Sequence, residues 1–537
     1  MLGLGLFLLL VRVFERSGGK GPTWAKGSGL GDPRAWSQLE VAATALAAVG
    51  LLVVVAQMER SKLLRPGALG GARRAGRRDL RPFRGGRAHA GATVRLGTHR
   101  LAPVHLPAED HLLVLGPTGS GKSSGLAIPA ILEWRGAVVV TDPKGELVRA
   151  TLAARRQLGQ AAVFAPLMEP SDCWNPVGSI VSAEDALRTA GLLMGRPPEK
   201  EPFWHDLALQ LLQGLLVEAA VTGMGVGDLL AILQAVPAED IPAELSHPVA
   251  QRLTQGATSG GDRTAMGVVA TLVAKLAPYA TERVAQTTSR STFDAADLVR
   301  GNLKSIYCVV TPHDAPLLRG LVSALLASCW RAIYASPPAV PVLFVLDEFA
   351  QLTLLPELPA LVQLGRSQGV RMILMGQDLS SISGMYGADT ASALWANCRT
   401  KLLLAGISEI DLLERTSRLA GMTTLHRRQP DHLDEPVSAH PLLAPDDIRR
   451  LPDDRALILR GSGHPAVIRQ RRWYRDRALR QLVNLPLEAG LVPSLATGRP
   501  LTAWRGRKDR CGDGTREQVW EDRGSEPGKS QQETTAC

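Results

Sequence analysis

Cysteine is scarce in this sequence, and the few cysteines are scattered. Only six occur among 537 residues, and none stands in a C-x-x-C pair or beside a cluster of histidines. Small secreted domains that depend on disulfides are rich in cysteine, and zinc sites need closely spaced Cys or His ligands. The sequence therefore excludes a disulfide framework and a zinc site, and it favours a protein whose working parts lie in a reducing compartment.

The sequence also lacks the composition of disordered, collagen-like or coiled-coil proteins. Hydrophobic residues make up 45% of the chain and charged residues 21%, so there is enough apolar material to bury sizeable cores. Because domains usually contain about 100 to 200 residues, a chain of this length predicts three or four structural units.

Positive charge is not spread evenly along the chain. The formal net charge is +10, from 61 Lys and Arg against 51 Asp and Glu, but Glu59–Arg87 alone holds ten basic residues and two acidic ones. The rest of the chain is nearly balanced. We interpret the basic stretch as a topology signal that lies against anionic lipids, in preference to a DNA-binding segment.

One apolar run is long enough to cross a membrane. Val41–Ala56 carries no charge, and Leu39–Met58 gives about 20 residues, the length that spans the hydrocarbon core. We predict a transmembrane helix there, with a buried core helix as the alternative. Met1–Val11 is too short for a full span and lacks the features of a cleaved signal peptide, so we predict a partial first span. More basic residues follow the helix than precede it, which predicts cytoplasmic main domains.

A phosphate-binding loop follows the short apolar strand Leu112–Leu115. The segment Gly116–Ser124 reads GPTGSGKSS, a complete G-x-x-x-x-G-K-[ST] motif between a strand and a helical pattern. We predict that all nine residues bind nucleotide: Gly116, Pro117, Thr118, Gly119, Ser120, Gly121, Lys122, Ser123 and Ser124. Backbone N–H groups of such a loop form an anion nest, while Lys122 reaches the outer phosphates and Ser123 offers its hydroxyl to Mg²⁺. A glycine-rich turn without ligand is the alternative.

Two further strands end in polar residues suited to phosphoryl transfer. Val342–Leu346 is fully apolar and runs into Asp347 and Glu348. We predict that Asp347 holds Mg²⁺ and that Glu348 polarises the attacking water, because α/β sheets bind ligands at the carboxyl ends of their strands. The second strand, Met372–Met375, precedes Gln377. We predict that its amide senses the γ-phosphate or orients water, although a plain strand end is equally open.

Other apolar runs indicate strands that alternate with helices, which is typical of a mostly parallel sheet covered on both faces. They are Ala137–Thr141, Ser305–Thr311, Lys401–Ala405 and Ala456–Leu459. The pattern becomes helical between Ser182 and Ser291, where Ser182 begins a capping-box-like sequence and Trp204–Thr222 is apolar at helical spacing. We therefore predict an α/β fold with an inserted all-α domain. The polar composition after Trp504 predicts a disordered tail.

These motifs together resemble the type IV secretion coupling proteins, the VirD4/TraG/TraD family of conjugative DNA-transfer ATPases. The resemblance covers about residues 100 to 475 and rests on the following segments in their order: Gly116–Ser124, Asp142–Glu146, Trp174–Pro176, Phe203–Trp204, Leu346–Ala350, Gln377, Asn397–Cys398, Leu442–Asp447 and Leu451–Asp454. The phosphate loop and Leu346–Ala350 are its most specific parts. The short first membrane segment departs from the family pattern.

The resemblance implies a RecA-like P-loop NTPase domain behind an N-terminal transmembrane anchor. The predicted parts are a membrane anchor at 1–58 (partial first span 1–14, transmembrane helix 39–58), a basic juxtamembrane linker at 59–90, a RecA-like domain at 91–181 and 292–480, an all-α domain at 182–291, and a disordered tail at 504–537.

The resemblance also implies an ATP- and Mg²⁺-dependent, DNA-stimulated ATPase of the inner membrane, assembled as a homo-hexamer. It would feed relaxase-bound, single-stranded DNA or a protein substrate into a type IV secretion channel during conjugation. Arg366 is our candidate for an arginine that acts across the subunit interface. A solvated helix-end arginine is equally open there, and Arg399 is a competitor.

Two other functions remain open from the sequence. One is a membrane-anchored, double-stranded DNA translocase of the chromosome-partitioning type, which shares the RecA-like core. The other is a docking receptor in which nucleotide only switches conformation and nothing is translocated. DNA-stimulated turnover separates the translocases from the receptor.

Overall fold

The computed structural model describes most of the chain between residues 71 and 493. The described residues are 50, 53–54, 71–85, 92–198, 202–365, 367–425, 438–487 and 491–493. The predicted partial first span and the predicted disordered tail lie outside these residues. Of the predicted transmembrane helix, only Gly50, Val53 and Val54 are described, and all three are helical.

The fold is built on one large mixed sheet. The strands are β1 Arg95–His99, β2 Ala102–His105, β3 Leu112–Leu115, β4 Val138–Thr141, β5 Gln160–Phe164, β6 Leu303–Cys308, β7 Val342–Leu346, β8 Val370–Gly376, β9 Thr400–Leu404, β10 Met422–Leu425, β11 Ser438–Pro441, β12 Arg455–Arg460 and β13 Ala466–Arg469. Eleven of them form the sheet in the order β2-β1-β13-β12-β9-β3-β8-β7-β4-β6-β5, and β10 pairs with β11 separately.

Seven adjacent strands, from β9 to β5 in the sheet order, are parallel. They include β3 and β7, whose bounds match the apolar runs in the sequence. The prediction of a parallel sheet is confirmed for this part. Their buried, continuously apolar character is what a sheet covered on both faces requires.

The remaining four strands of the sheet are antiparallel, which differs from the expected pattern. β12 pairs antiparallel with β9, β13 with β12, β1 with β13, and β2 with β1. The sequence correctly predicted a strand at Ala456–Leu459, but the parallel direction expected from alternating strands and helices was wrong. Gly461, Ser462 and Gly463 begin a short connection that turns the chain back from β12 into β13. A connection this short can join only antiparallel strands.

Helices cover both faces of the sheet. In chain order they are α1 Ile128–Glu133, α2 Glu146–Arg156, α3 Ala183–Met194, α4 Pro202–Thr222, α5 Val226–Ala235, α6 Ile241–Glu244, α7 Pro248–Thr258, α8 Asp262–Leu276, α9 Glu282–Thr288, α10 Asp297–Arg300, α11 Ala315–Ala335, α12 Phe349–Leu352, α13 Leu358–Leu364, α14 Leu379–Tyr386, α15 Ala388–Asn397, α16 Ile410–Ala420, α17 Pro445–Arg449 and α18 Arg477–Val483.

Alternate residues of β3 point into two separate cores. Leu113 and Leu115 belong to the core that contains α11 and the helices between β5 and β6. Leu112 and Val114 belong to the core that contains α1 and α2. This alternation is the period of two that a strand imposes, so β3 is anchored from both sides where its loop begins.

The segment between β5 and β6 contains helices and connecting loops but no strand among its described residues. Ser182 caps α3 by accepting a hydrogen bond from the Asp185 N–H at 3.2 Å, as its sequence predicts. The long helical pattern that begins at Asp262 is divided into α8, a 3-10 turn and α9. Pro278 lies in that turn, where it cannot continue an α-helix.

Residues 71–85 pack against the sheet domain. Ala75, Leu80 and Phe83 are buried, and the Ala75 N–H donates to the Pro465 carbonyl at 2.9 Å. The described half of the segment that we expected to be a linker therefore contributes to the core. The domain boundaries given above stay predictions.

Among the described residues, α11 is a single helix long and apolar enough to cross a membrane. Two bent pairs, α4 with α5 and α8 with α9, pass the same test if each pair is counted as one span. Two thirds of the most apolar stretch of α11 is buried inside the protein, where it belongs to the larger hydrophobic core.

Candidate nucleotide-binding site

Three neighbouring strands bring the predicted site residues to one edge of the sheet. β8 lies between β3 and β7 and is parallel to both, with Leu115 opposite Gly376 and Leu346 opposite Leu374. The phosphate loop follows β3, Gln377 follows β8, and Asp347 follows β7. Because the three strands end at the same edge, residues more than 220 positions apart in the sequence meet there.

Lys122 is the centre of the site. Its side chain is 7% exposed, and its ammonium group donates to the Gly116 carbonyl at 2.5 Å. The same group lies 3.3 Å from the Glu348 carboxylate. Sequence reasoning predicted each residue separately, and the structure joins them as a buried ion pair across the loop.

Asp347 has the surroundings expected of a magnesium ligand. Its side chain is buried, and its Oδ1 atom has no hydrogen-bond partner among the described residues. Burial first, and then the nearby carboxylates of Glu348 and Asp142, raise the pKa of Asp347 to about 7. A bound cation would offset both the cost of burying the charged carboxylate and its repulsion by the neighbouring carboxylates.

The donor set fits Mg²⁺. The described residues contain no group of three or more His, Cys, Asp or Glu side chains that could hold a metal ion. Mg²⁺ differs from zinc because it is usually held by one or two protein oxygens and completes its shell with phosphates and water. The Asp347 carboxylate and the Ser123 hydroxyl are suitable oxygen donors.

Glu348 lies in an unusual backbone conformation. Its φ of 47° and ψ of 43° are in the left-handed region, at the start of α12. Apart from glycine, few residues adopt this region, and the cost is about 1–3 kcal/mol. Such strain is concentrated at functional sites, and here it accompanies a carboxylate buried beside Lys122.

A third carboxylate belongs to the motif Asp142–Glu146. Asp142 is fully buried and accepts hydrogen bonds from the N–H groups of Lys144, Glu146 and Val148 at 2.8–3.3 Å. Burial raises the pKa of Asp142 to about 6, and the N–H groups of Val148 and Lys144 oppose that rise. Asp142 thus fixes the start of α2 and adds negative charge near Asp347.

The other predicted catalytic residues are placed as follows. Gln377 is partly exposed, directly after β8, and its side chain forms no hydrogen bond with another described residue. Arg366 lies outside the described residues. Arg399 is exposed and directly precedes β9, so within one chain it lies at the edge of the sheet opposite the phosphate loop.

Two residues that contact the loop were missed by sequence reasoning. Arg472 donates to the Ser124 hydroxyl at 2.9 Å and to the Ser120 carbonyl at 3.0 Å. Gln470 donates to the same carbonyl at 3.4 Å. Both follow β13, about 350 residues after the loop, and no local motif marks them.

Comparison with known proteins agrees with this architecture. The family model described as Type IV secretory system Conjugative DNA transfer matches residues 77–492. The chain belongs to this family. The match includes the phosphate loop, Asp347, Glu348 and the strands that carry them.

Members of the family resemble the chain over most of its length. Protein VirD4 of Rhizobium rhizogenes is 28% identical over 424 residues, which are 72% of this chain and 62% of VirD4. Conjugal transfer protein TraG of Escherichia coli is 25% identical over 446 residues, which are 70% of this chain and 69% of TraG. The matched region thus spans slightly less than two thirds of the VirD4 relatives.

The fold is that of a solved coupling protein of the family. The structure of plasmid coupling protein TrwB in complex with a non-hydrolysable ATP analogue covers 75% of this chain and 93% of TrwB, with a TM-score of 0.60 and 21% identity. The unbound form of TrwB gives a TM-score of 0.61 at the same identity. The predicted α/β fold is therefore confirmed, with a large mixed sheet that matches the sheet of TrwB.

Proposed function

We propose that this protein is an ATPase that uses ATP and Mg²⁺ to drive conjugative DNA transfer. The observation that carries the proposal is the convergence of Lys122, Asp347 and Glu348 at the edge of the sheet where the phosphate loop begins. The solved structures of TrwB support the choice of ligand, since they include complexes with GTP and ATP analogues and with ADP and Mg²⁺.

Each residue has a separate part in this proposal. The backbone N–H groups of residues 116–124 hold the phosphates, and Lys122 neutralises their charge. Ser123 and Asp347 would hold Mg²⁺, which would neutralise negative charge on the phosphates when bound. Glu348 orients and polarises the attacking water, and Gln377 contacts the γ-phosphate or the water. Positioning and electrostatics account for most of the rate in this chemistry.

We further propose that the ATPase acts at the inner membrane as a homo-hexamer, with its main domains in the cytoplasm. Its substrate is single-stranded DNA with an attached relaxase, and its partners are the components of a type IV secretion channel. Family membership and the resemblance to VirD4 and TraG support this assignment. Arg366 is the candidate for completing the active site of a neighbouring subunit.

The test is the ATPase rate of the full-length protein in detergent or lipid nanodiscs, without DNA and with single- or double-stranded DNA. We expect Mg²⁺-dependent hydrolysis that single-stranded DNA stimulates, and Lys122→Ala should abolish it. Stimulation by duplex DNA alone would favour the chromosome-partitioning type of translocase. Nucleotide binding with no hydrolysis under any condition would favour a docking receptor and contradict the ATPase.

A further inference from the structure

Behind the phosphate loop lies a buried arginine whose charge has no carboxylate partner. Arg472 is 9% exposed, and it donates to the Ser124 hydroxyl, the Ser120 carbonyl and, at 2.7 Å, the Asp453 carbonyl. All three acceptors are neutral. Within the described part of the chain, no carboxylate forms an ion pair with it, although almost every buried charge in proteins is paired.

The adjacent arginine shows the usual arrangement. Arg471 is also largely buried, but it contacts two carboxylates, Glu133 at 2.5 Å and Asp476 at 2.7 Å. Two consecutive arginines of the same segment thus differ in one respect. Arg471 forms ion pairs with carboxylates of the protein, whereas Arg472 forms none among the described residues and is attracted by the Asp453 and Asp454 carboxylates only from beyond ion-pair distance.

The contact between Arg472 and the Ser120 carbonyl fixes the direction in which the Gly121 N–H group points. Ser120 C=O and Gly121 N–H belong to one planar trans peptide, so they point in opposite directions. Because Arg472 and Gln470 both donate to the Ser120 carbonyl, the Gly121 N–H is directed away from them. Gly121 has a φ of 96°, and a Cβ atom there would lie 1.3 Å from Arg472 Nη1, so only glycine allows this approach.

Burying an uncompensated charge is costly, and the cost falls when an opposite charge binds nearby. Burial lowers the pKa of Arg472, which is the expected sign of this penalty. The phosphate loop on which Arg472 rests is where a polyanion binds under the proposed function. The phosphates would therefore add a counter-charge to the long-range attraction of the Asp453 and Asp454 carboxylates.

We propose that Arg472 is a positioning residue for nucleotide binding, which holds the back of the phosphate loop and is electrostatically balanced by the bound phosphates. The proposal rests on the proposed function, because it requires that the loop binds nucleotide. It assigns to the segment after β13 a direct part in the site, although that segment contributes no residue to the loop itself.

The test compares nucleotide affinity and nucleotide-induced stabilisation in full-length variants. Arg472→Gln removes the charge but keeps a donor for the Ser120 carbonyl, and it should bind a fluorescent ATP analogue at least about ten-fold more weakly than wild type, the effect of losing a charged hydrogen bond. Arg472→Lys keeps the charge but cannot reach all three acceptors, so it should bind about three-fold more weakly. The rise in melting temperature on adding nucleotide should shrink in the same order.

Arg471→Met is the matched control, because it removes an arginine whose carboxylate partners lie within the protein. It should lower the melting temperature without nucleotide and leave the nucleotide-induced rise unchanged. The proposal is overturned if Arg472→Gln loses apo stability but binds nucleotide like wild type. It is also overturned if Arg472→Gln fails to fold while Arg472→Lys binds like wild type. If the wild type itself binds no nucleotide, the proposed function fails instead.

Discussion

Glu348 combines three properties that rarely occur together: a buried carboxylate, a left-handed backbone and an ion pair with the phosphate-loop lysine. Before nucleotide binds, the pair gives each charge a partner. When phosphates attract Lys122, the carboxylate becomes free to act on water. Under the proposed function, the residue would therefore both stabilise the site before nucleotide binds and act in hydrolysis.

Glu348→Gln separates these two roles. Glutamine keeps the size of the side chain but not the charge that polarises water, so hydrolysis should fall at least about 100-fold, as for loss of a general base. Binding of ATP should be retained, because Lys122, Ser123 and Asp347 are intact. Single-turnover hydrolysis and equilibrium binding of labelled ATP measure the two effects.

The variant should also interfere with wild-type subunits in mixed assemblies. Co-expression should depress DNA transfer more than dilution predicts, since each assembly would contain blocked sites. Wild-type hydrolysis by Glu348→Gln would show that this residue is not the catalytic carboxylate and would reopen the role of Leu346–Ala350.

Asp347 predicts a pH dependence of stability in the absence of Mg²⁺ and nucleotide. Its pKa is raised from 3.8 to about 7 in the folded protein, so the folded state binds the extra proton between these values. Wild-type stability should therefore fall as pH rises from about 4 to about 7. Asp347→Asn removes the cost of burying this charge. At pH 8 its free energy of unfolding should exceed that of wild type by a few kcal/mol, because each pKa unit is worth about 1.4 kcal/mol, and its melting temperature should be higher.

Thermal unfolding in EDTA at pH 8 and at pH 4.5 measures this difference. Asp240→Asn, at an exposed position, is the control and should be neutral at both pH values. A lower melting temperature for Asp347→Asn at pH 8 would show that the carboxylate is not penalised by its surroundings.

At the residue scale, local motifs predicted which residues meet at the site but not the residues that contact the phosphate loop from behind. Lys122, Asp347 and Glu348 were predictable because each stands in a short pattern that the chemistry requires. Arg472 and Gln470 were not, because they act through contacts between segments 350 residues apart. The role of Asp142 as a backbone cap also needs three-dimensional information, since its partners are ordinary N–H groups.

At the scale of elements, one arginine joins two helices and a strand at the edge of the sheet opposite the phosphate loop. Arg155 of α2 is fully buried, and its guanidinium donates to the carbonyls of Trp134 after α1, of Gly136, and of Lys304 in β6. It thereby satisfies carbonyl groups at a buried helix end, which otherwise lack partners.

Arg155→Met should destabilise the sheet domain by about 3 kcal/mol or more, because several buried carbonyls would lose their donors at once. The melting temperature of the full-length protein measures the effect. Arg156→Met, at the next and partly exposed position, should change it little. Equal effects of the two substitutions would contradict the assigned contacts.

The element pattern in the sequence predicted the strands around the site better than those at the far side of the sheet. β3 and β7 are continuously apolar because both faces are covered, and such runs are easily recognised. β1, β2 and β13 have only four or five residues each, with at most three apolar residues in succession, so no long apolar run marks them. The orientation of β12 depends on the short connection 461–465, which the alternation of strands and helices does not reveal.

At the scale of the whole molecule, residues 71–85 are a part of the folded sheet domain. Ala75, Leu80 and Phe83 are buried, and the Arg460 guanidinium lies 5.9 Å from the centre of the Phe83 ring. A truncation that removes this segment would expose the surface that it covers.

We therefore expect deletion of residues 1–70 to give a monodisperse, soluble protein, and deletion of residues 1–87 to give a less stable one. The loss should be about 3 kcal/mol or more, the usual cost of removing a buried aromatic side chain. Size-exclusion chromatography and thermal unfolding compare the two. If the shorter deletion still sediments with membranes, the segment 39–58 is not the sole membrane anchor.

The attachment of the helical segment has a consequence for how the protein diversifies. The chain leaves β5 into these helices and returns to β6, and the two strands are hydrogen-bonded neighbours at the end of the sheet opposite β2. β4, β7 and β8 separate β6 from β3, which carries the phosphate loop. The helices between Phe164 and Leu303 therefore start and end on adjacent strands, so their sequence and length can change without moving the strands that carry the phosphate loop, provided that the face packed against α11 stays apolar.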